Sequence, residues 1–144
     1  MGELTTMVIL IRIITIVVCA GLIGLEREHI HKPAGLRTNI LVGLGTTLMM
    51  IIAIKLSSFS DPSAVSRIAS QAITGVGFLG AGAIFQGRNS VFGLTTAATI
   101  WVVAAIGLAV GIGYYTAAII ATSVALITLY FLGRAEHHSP PPIQ

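Results

Sequence analysis

Apolar residues fall into five long blocks, at 4–25, 38–56, 67–85, 94–113 and 114–132, and polar residues gather in the short breaks between them. Each block is about the length, roughly 20 residues, that an α-helix needs to cross the hydrocarbon core of a bilayer. The pattern predicts an all-α membrane protein. Its transmembrane domain, 1–133, would be a bundle of about five helices, followed by a short polar, Pro-rich tail at 134–144 that is expected to be disordered. The breaks carry turn chemistry. In "SSFSDPSAVSR", Asp61 and Pro62 form an N-cap and first-turn pair, so the third helix should begin ahead of its apolar block. In "GIGYY", Gly111 and Gly113 permit a tight reversal. Tyr114 and Tyr115, like Tyr130 and Phe131 at the far end of the last block, suit the headgroup level.

Composition identifies the solvent. Hydrophobic residues make up 55% of the 144 and charged residues 9%, with a mean hydropathy of +0.95, against about 25% charged residues in ordinary soluble domains. Met1 to Glu3 hold no basic side chain, so the first block reads as a retained span and not as a cleaved signal. The single cysteine, Cys19, excludes an intramolecular disulfide and reads as a small packing residue. A net charge of +3 and a pI near 9.5 raise nucleic acid as a partner. The basic residues are dispersed, however, with no aromatic-interleaved stripe, and nucleic acid is excluded. The excess charge reads instead as topogenic. With five spans, Arg27, Lys32, Arg37, Arg88 and Arg134 share one side, and Lys55 and Arg67 lie on the other. The positive-inside rule then puts the N-terminus outside and the C-terminus in the cytoplasm.

Arg12 interrupts the first block, where a charge at a helix centre costs roughly 2.5 to 3.5 kcal/mol on insertion scales. It either snorkels outward or turns into the bundle toward a polar partner. "GVGFLG" matches the dinucleotide pattern G-x-G-x-x-G in letters alone. It lies inside an apolar block with no acid until Glu136, so nucleotide binding is rejected. Small residues read better as close helix packing. Gly75, Gly77, Gly80 and Gly82, beside Ser70, Gln71 and Thr74, place the third block at the centre of the bundle. Gly107 with Gly111, and the row Ala117, Ala121 and Ala125, serve contacts either within the protomer or between copies in a homo-oligomer.

The densest chemistry is "EREHIHKPAGLRT", residues 26–38. Glu26 with His29 and Glu28 with His31, both at i and i+3, have the spacing of one half of a carboxylate-bridged di-metal site, but there is no second copy, and no metal is expected. No nucleophile, base and acid recur as a triad, so no catalytic residues and no cofactor are expected. The segment reads as a structured corner in which Pro33 and Gly35 turn the chain. Glu26 or Glu28 at the end of one helix would pair with Arg37 at the start of the next, each offsetting a charge that its own helix dipole opposes. Arg27, His29, His31 and Lys32 would face the cytoplasm. The segment "QGRNSVFGLTTAATIW", 86–101, reads either as a capped inner loop or as a polar mouth beside the corner. Asn89 and Ser90 would serve its backbone, and Thr95, Thr96 and Thr99 could bond carbonyls of their own helix.

Taken together, "GLIGLEREHIHKPAGLRTNILVGLG", "RIASQAITGVGFLGAGAIF" and "GLTTAATIWVVAAIGLAVGIGYY" resemble the MgtC/SapB family of bacterial membrane proteins over about residues 10–132. The matching positions include Glu26, Arg27, Lys32, Pro33, Gly35, Leu36, Arg37 and Thr38, then Gly77, Phe78, Gly80, Gly82, Gly93, Thr95, Thr96 and Thr99. The resemblance implies a multi-pass inner-membrane protein linked to magnesium limitation, acid stress and, in pathogens, virulence. It implies a protein that modulates another membrane protein, such as a transporter or ATPase, with Glu26, Arg27, Glu28, Lys32, Arg37, Asn89, Thr95 and Thr96 on its cytoplasmic partner face. Phe92 departs from the arginine often found before "GLTTAATIW", and the chain reads as a short member without the soluble C-terminal domain of longer ones. The rival expectation is a small oligomeric transporter or channel for magnesium or protons, disfavoured by the scarcity of intramembrane acids.

Overall fold

The computed structural model describes residues 5–59, 61–88 and 90–136. In chain order they form α1 (Thr6–His29), α2 (Leu36–Phe59), α3 (Ala64–Gly82), a two-stranded hairpin of β1 (Phe85–Gln86) and β2 (Val91–Phe92), α4 (Leu94–Ile112) and α5 (Tyr115–Glu136). The five apolar blocks thus correspond to five helices. Of these, α1, α2 and α4 are long and apolar enough to cross a membrane, and Tyr115–Phe131 of α5 is a shorter apolar stretch. Ser66, Arg67, Ser70, Gln71 and Thr74 dilute the apolar character of α3. The antiparallel hairpin, which pairs Phe85 with Phe92 and Gln86 with Val91, was not expected from the sequence. α5 continues past position 133 to Glu136, and residues 137–144 of the expected tail lie outside the described residues.

The hub of the bundle is α4, which packs against each of the other four helices. Its Val103, Ile106 and Val110 join Ile16, Cys19, Ala20 and Ile23 of α1 and Ala118 of α5. On another face, Leu108 meets Met50 and Ala53 of α2 and Ala72 of α3. Ile100 and Ala104 meet Val76 of α3. The outer surface is as apolar as the core: Leu10, Ile14, Val18 and Leu22 of α1, and Ile120, Val124 and Ile127 of α5, are exposed. Such a surface suits lipid tails, which are themselves apolar and supply no hydrophobic drive between helices.

Close approach therefore depends on small residues and polar ties. A methyl built on Gly24 would lie 2.7 Å from the Leu36 Cα, and one on Gly43 would lie 2.8 Å from the Ile16 side chain, so α1 and α2 touch at these points. One on Gly107 would lie 2.7 Å from the Gly43 carbonyl oxygen, and one on Gly111 would lie 2.5 Å from the Met50 Cβ. The Thr47 hydroxyl adds an α2–α4 bond by donating to the Gly107 carbonyl at 2.9 Å. Gly107 and Gly111 thus pack against α2 within the protomer, the first of the two uses expected for them. Ala121 and Ala125 likewise pack on the first core cluster.

The central position expected for the third block is corrected. α3 lies at the edge of the bundle, burying Ala72, Val76 and Gly80, while a methyl on Gly75, Gly77 or Gly82 would meet nothing within 4 Å. Small residues permit close approach but do not compel it. The polar residues of α3 are satisfied locally, Ser70 donating to the Ser66 carbonyl and Thr74 to the Ser70 carbonyl. Arg12 turns inward, 9% exposed. Its Nη1 donates to the Gly111 carbonyl at 2.6 Å, placing a cation on the C-terminal end of α4, where the helix dipole favours it. Gly113, at φ +95°, makes the α4–α5 turn, whereas Gly111 is needed for packing.

Candidate functional site at the α1–α2 corner

α1 runs beyond its apolar block to His29, so "EREH" forms its last helical turn. An acid there opposes the helix dipole. Arg27, only 3% exposed, answers it within the same turn: its Nε lies 2.6 Å from Glu26 Oε2 and its Nη2 lies 3.0 Å from Oε1. Glu28 works across the corner, accepting the Leu36 backbone N–H at 2.9 Å and so capping α2. An anion at that N-terminus is favourable. The expected pairing of Glu26 or Glu28 with Arg37 is therefore corrected, since each carboxylate has a nearer donor. Arg37 is exposed and forms no ion pair among the described residues. Arg27 is likewise buried instead of facing solvent.

The left-handed backbone positions are His31 and Ala34, at φ +55° and +56°, and not Gly35. Glycine at 35 leaves room for the Glu28 carboxylate, since a methyl there would lie 3.0 Å from Glu28 Oε2. Asn39, fully buried, locks the turn by donating from Nδ2 to the Ala34 and Gly35 carbonyls. Its Oδ1 has no partner among the described residues. Sequence reasoning missed Asn39, although an amide one turn into an apolar helix, directly after a Pro-Ala-Gly bend, is a usable signal.

Beneath the corner lies a cavity of about 250 Å³, lined by Pro33, Ala34, Thr38 and Val42, by Leu79, Gly82 and Ala83, and by Thr96 and Ile100. Three sequence signatures, "KPAGLRT", "GFLGAG" and "GLTTAATIW", thus meet at one place. Gly93, at φ +86°, lets α4 start against the end of α3, because a side chain there would overlap the Ala83 carbonyl. α4 has no side-chain cap. The backbone N–H groups of Leu94, Thr95 and Thr96 have no acceptor among the described residues, and the first bond of the helix runs from the Ala97 N–H to the Gly93 carbonyl. Thr99 donates to the Thr95 carbonyl at 2.7 Å, as its position suggests. Thr96 does not follow that pattern: it is 4% exposed, lines the cavity and has no hydrogen-bond partner for its hydroxyl among the described residues.

Thr95, Lys32, His29 and His31 are exposed, as are Arg88 and Phe92 of the hairpin region. Asn89 lies outside the described residues. Both carboxylates of "EREHIH" are engaged, by Arg27 and by the Leu36 amide. Among the described residues no three of His, Cys, Asp and Glu gather as a metal site would require. At the opposite end, Asp61 accepts from the Ser63 hydroxyl and amide and pairs with Arg67 at 2.7 Å. The Ser63 hydroxyl bond, more than the amide or Arg67, holds its carboxyl below the ordinary value.

The MgtC family profile matches residues 13–138. The Escherichia coli (strain K12) protein named "Putative magnesium transporter YhiD" is 43% identical over 127 residues, covering 83% of this chain and 58% of its own length. Protein SrpB of Synechococcus elongatus is 41% identical over 129 residues, 82% of this chain and 71% of that one. Protein MgtC of Brucella abortus (strain 2308) is 46% identical over 102 residues, 71% of this chain and 42% of that one. The chain therefore spans well under two thirds of the Escherichia coli relative. No solved structure matches it significantly. With the profile running from the first third of α1 through α5 and taking in the whole corner and its cavity, the chain belongs to the MgtC family of membrane proteins.

Proposed function

We propose that the protein is a regulatory, non-enzymatic, multi-pass protein of the bacterial inner membrane. It modulates another membrane protein, a transporter or ATPase, in magnesium and ion homeostasis and in stress or virulence adaptation. The observation that carries this reading is the use made of interior polar groups. Arg12 holds the end of α4, Thr47 ties α2 to α4, and Thr46, Thr99 and Thr122 bond carbonyls within their own helices. Side chains that could line an ion path hold the bundle together instead. The exposed cations Lys32, Arg37 and Arg88 stand at the corner end, available to a partner.

The same reading takes five spans, with the N-terminus outside and the corner and C-terminus cytoplasmic, from the five-against-two basic count. Two features support counting α3 as a span. Its 19 residues rise about 28 Å, and it runs beside α2 and α4 from Ala72 to the corner cavity. A second reading, a small oligomeric magnesium or proton transporter, is favoured by the name of the Escherichia coli relative. Purified protein in liposomes, assayed for magnesium and proton flux, separates the two when combined with in-cell crosslinking from position 32 or 37. Absent flux together with a specific crosslinked membrane protein supports regulation; saturable flux overturns it.

A further inference from the structure

The cavity under the corner has the makings of an anion site. α4 opens onto it with three unbonded N–H groups, no side-chain cap and no acid in its first turn. A helix N-terminus of this kind carries about half a positive charge. Independently, Thr96 lines the same cavity, is only 4% exposed and has no hydrogen-bond partner for its hydroxyl among the described residues. A hydroxyl without a protein partner is free to donate to a ligand there. Thr38, in the first turn of α2, lines the same cavity. The C-terminus of α3 at Gly82 and Ala83 lines it as well and opposes the α4 N-terminus. Side-chain charge then decides the sign. Lys32, Arg37 and Arg88 are exposed and make no salt bridge among the described residues, whereas Glu26 is neutralised by Arg27 and Glu28 is the one remaining acid of the corner, held on the Leu36 amide.

We propose that this cavity binds a phosphate-type anion through the first turn of α4, with the Thr96 hydroxyl donating to it and the exposed Arg37, which precedes the lining residue Thr38 in the chain, adding positive charge nearby. Two sources share that chemistry, the headgroup phosphate of an anionic lipid and free inorganic phosphate. A volume of about 250 Å³, roughly that of eight waters at about 30 Å³ each, admits a phosphate group with several waters or a short polar stub but not a whole lipid, so an acyl chain would lie outside in the bilayer. The proposal does not depend on the regulatory reading, and its test needs no partner protein.

The purified full chain in neutral detergent is titrated with inorganic phosphate by calorimetry, at constant ionic strength against chloride. In parallel, native mass spectrometry compares retention of phosphatidylglycerol with that of phosphatidylcholine. Thr96→Val removes the hydroxyl without changing shape, Arg37→Gln alters an exposed residue that forms no ion pair among the described residues, and Thr128→Val on the exposed side of α5 is the control. Saturable phosphate binding assigns the free ion, and selective phosphatidylglycerol retention without it assigns the headgroup. In either case Thr96→Val should weaken binding about tenfold, the loss of one hydrogen bond to a charged group, and Arg37→Gln should weaken it less, with the control unchanged. Neither form of binding by the wild type, or wild-type affinity in Thr96→Val, overturns the proposal. Should Thr96→Val fail to fold, unchanged affinity in Arg37→Gln overturns it instead.

Discussion

Replacing Gly107 with alanine tests the packing at the centre of the bundle. The new methyl would overlap the Thr46 hydroxyl and lie 2.7 Å from the Gly43 carbonyl oxygen. Thr46 cannot simply swing aside, because its hydroxyl is bonded to the Val42 and Gly43 carbonyls, and Gly43 presents backbone. α2 and α4 must part. Overpacking of this kind costs about 1–3 kcal/mol. Separation also strains the bond from Thr47 to the Gly107 carbonyl, and such interhelical bonds in membranes average about 0.6 kcal/mol. Against this, alanine gains up to about 1 kcal/mol of helix propensity over glycine. The net expectation is a loss of about 0.5–2.5 kcal/mol. Reversible unfolding in mixed micelles, followed by circular dichroism, measures it. Gly75→Ala is the matched control: its methyl meets nothing within 4 Å, so stability should be unchanged or higher. If Gly107→Ala unfolds like the wild type and instead dissociates an oligomer, Gly107 lies between protomers and the reasoning fails.

Arg12→Met should loosen the α4–α5 turn, because the cation at the end of α4 is worth up to about 2 kcal/mol in a partly buried site. Amide exchange at 111–115 should rise about 10–30-fold, with Arg12→Lys between the two. Glu28→Ala removes the cap on the Leu36 N–H and should destabilise the corner by about 1 kcal/mol, while Glu28→Gln keeps an acceptor and much of the stability; equal melting of both variants would count against the cap. Because Glu26 pairs with Arg27, Glu26→Arg combined with Arg37→Glu should not restore membrane abundance lost in Glu26→Arg, and recovery would revive a pairing across the corner. Asp61 has a lowered folded-state pKa, so its contribution is complete above the ordinary value of 3.8 and fades as the pH falls through the lower folded value. Asp61→Asn should flatten that acid limb in a pH series of thermal melts, and an unchanged limb would remove Asp61 as its source.

The helices were legible because membrane-length apolar blocks leave few alternatives to a helix. Their neighbours were harder to read. Gly75, Gly77, Gly107 and Gly111 look alike in sequence, yet two of these lie in open space and two lie against α2. A small residue shows where a helix could come close, and which helix does so depends on long-range packing. The corner was legible as a turn with charges, but its bonds were not. Extending α1 by one turn rotates Glu28 onto the Leu36 amide and leaves Arg37 outside, so an error of a few residues in a helix end changed the partners. Thr95 and Thr96 were flagged together, and helical phase separates them, with Thr95 exposed and Thr96 buried at the cavity.

Arg12 and Glu28 show what holds α1 in register. Arg12 anchors one end to the last turn of α4, and the Glu28 cap on the Leu36 amide anchors the other end to α2. These ties lie about 24 Å apart along the helix, from residue 12 to residue 28 at 1.5 Å each. Between them α1 presents Ile16, Cys19, Ala20 and Ile23 to its neighbours, an apolar stripe much like the lipid-facing one. Since apolar contact alone hardly distinguishes a helix from lipid, the stripe could slide or rotate at little cost. Gly24 against Leu36 and Gly43 against Ile16 resist rotation, and the polar ties at the two ends resist sliding. A charge inside an apolar block, costly by itself, is therefore one of the two ties that fix how far the first helix can slide.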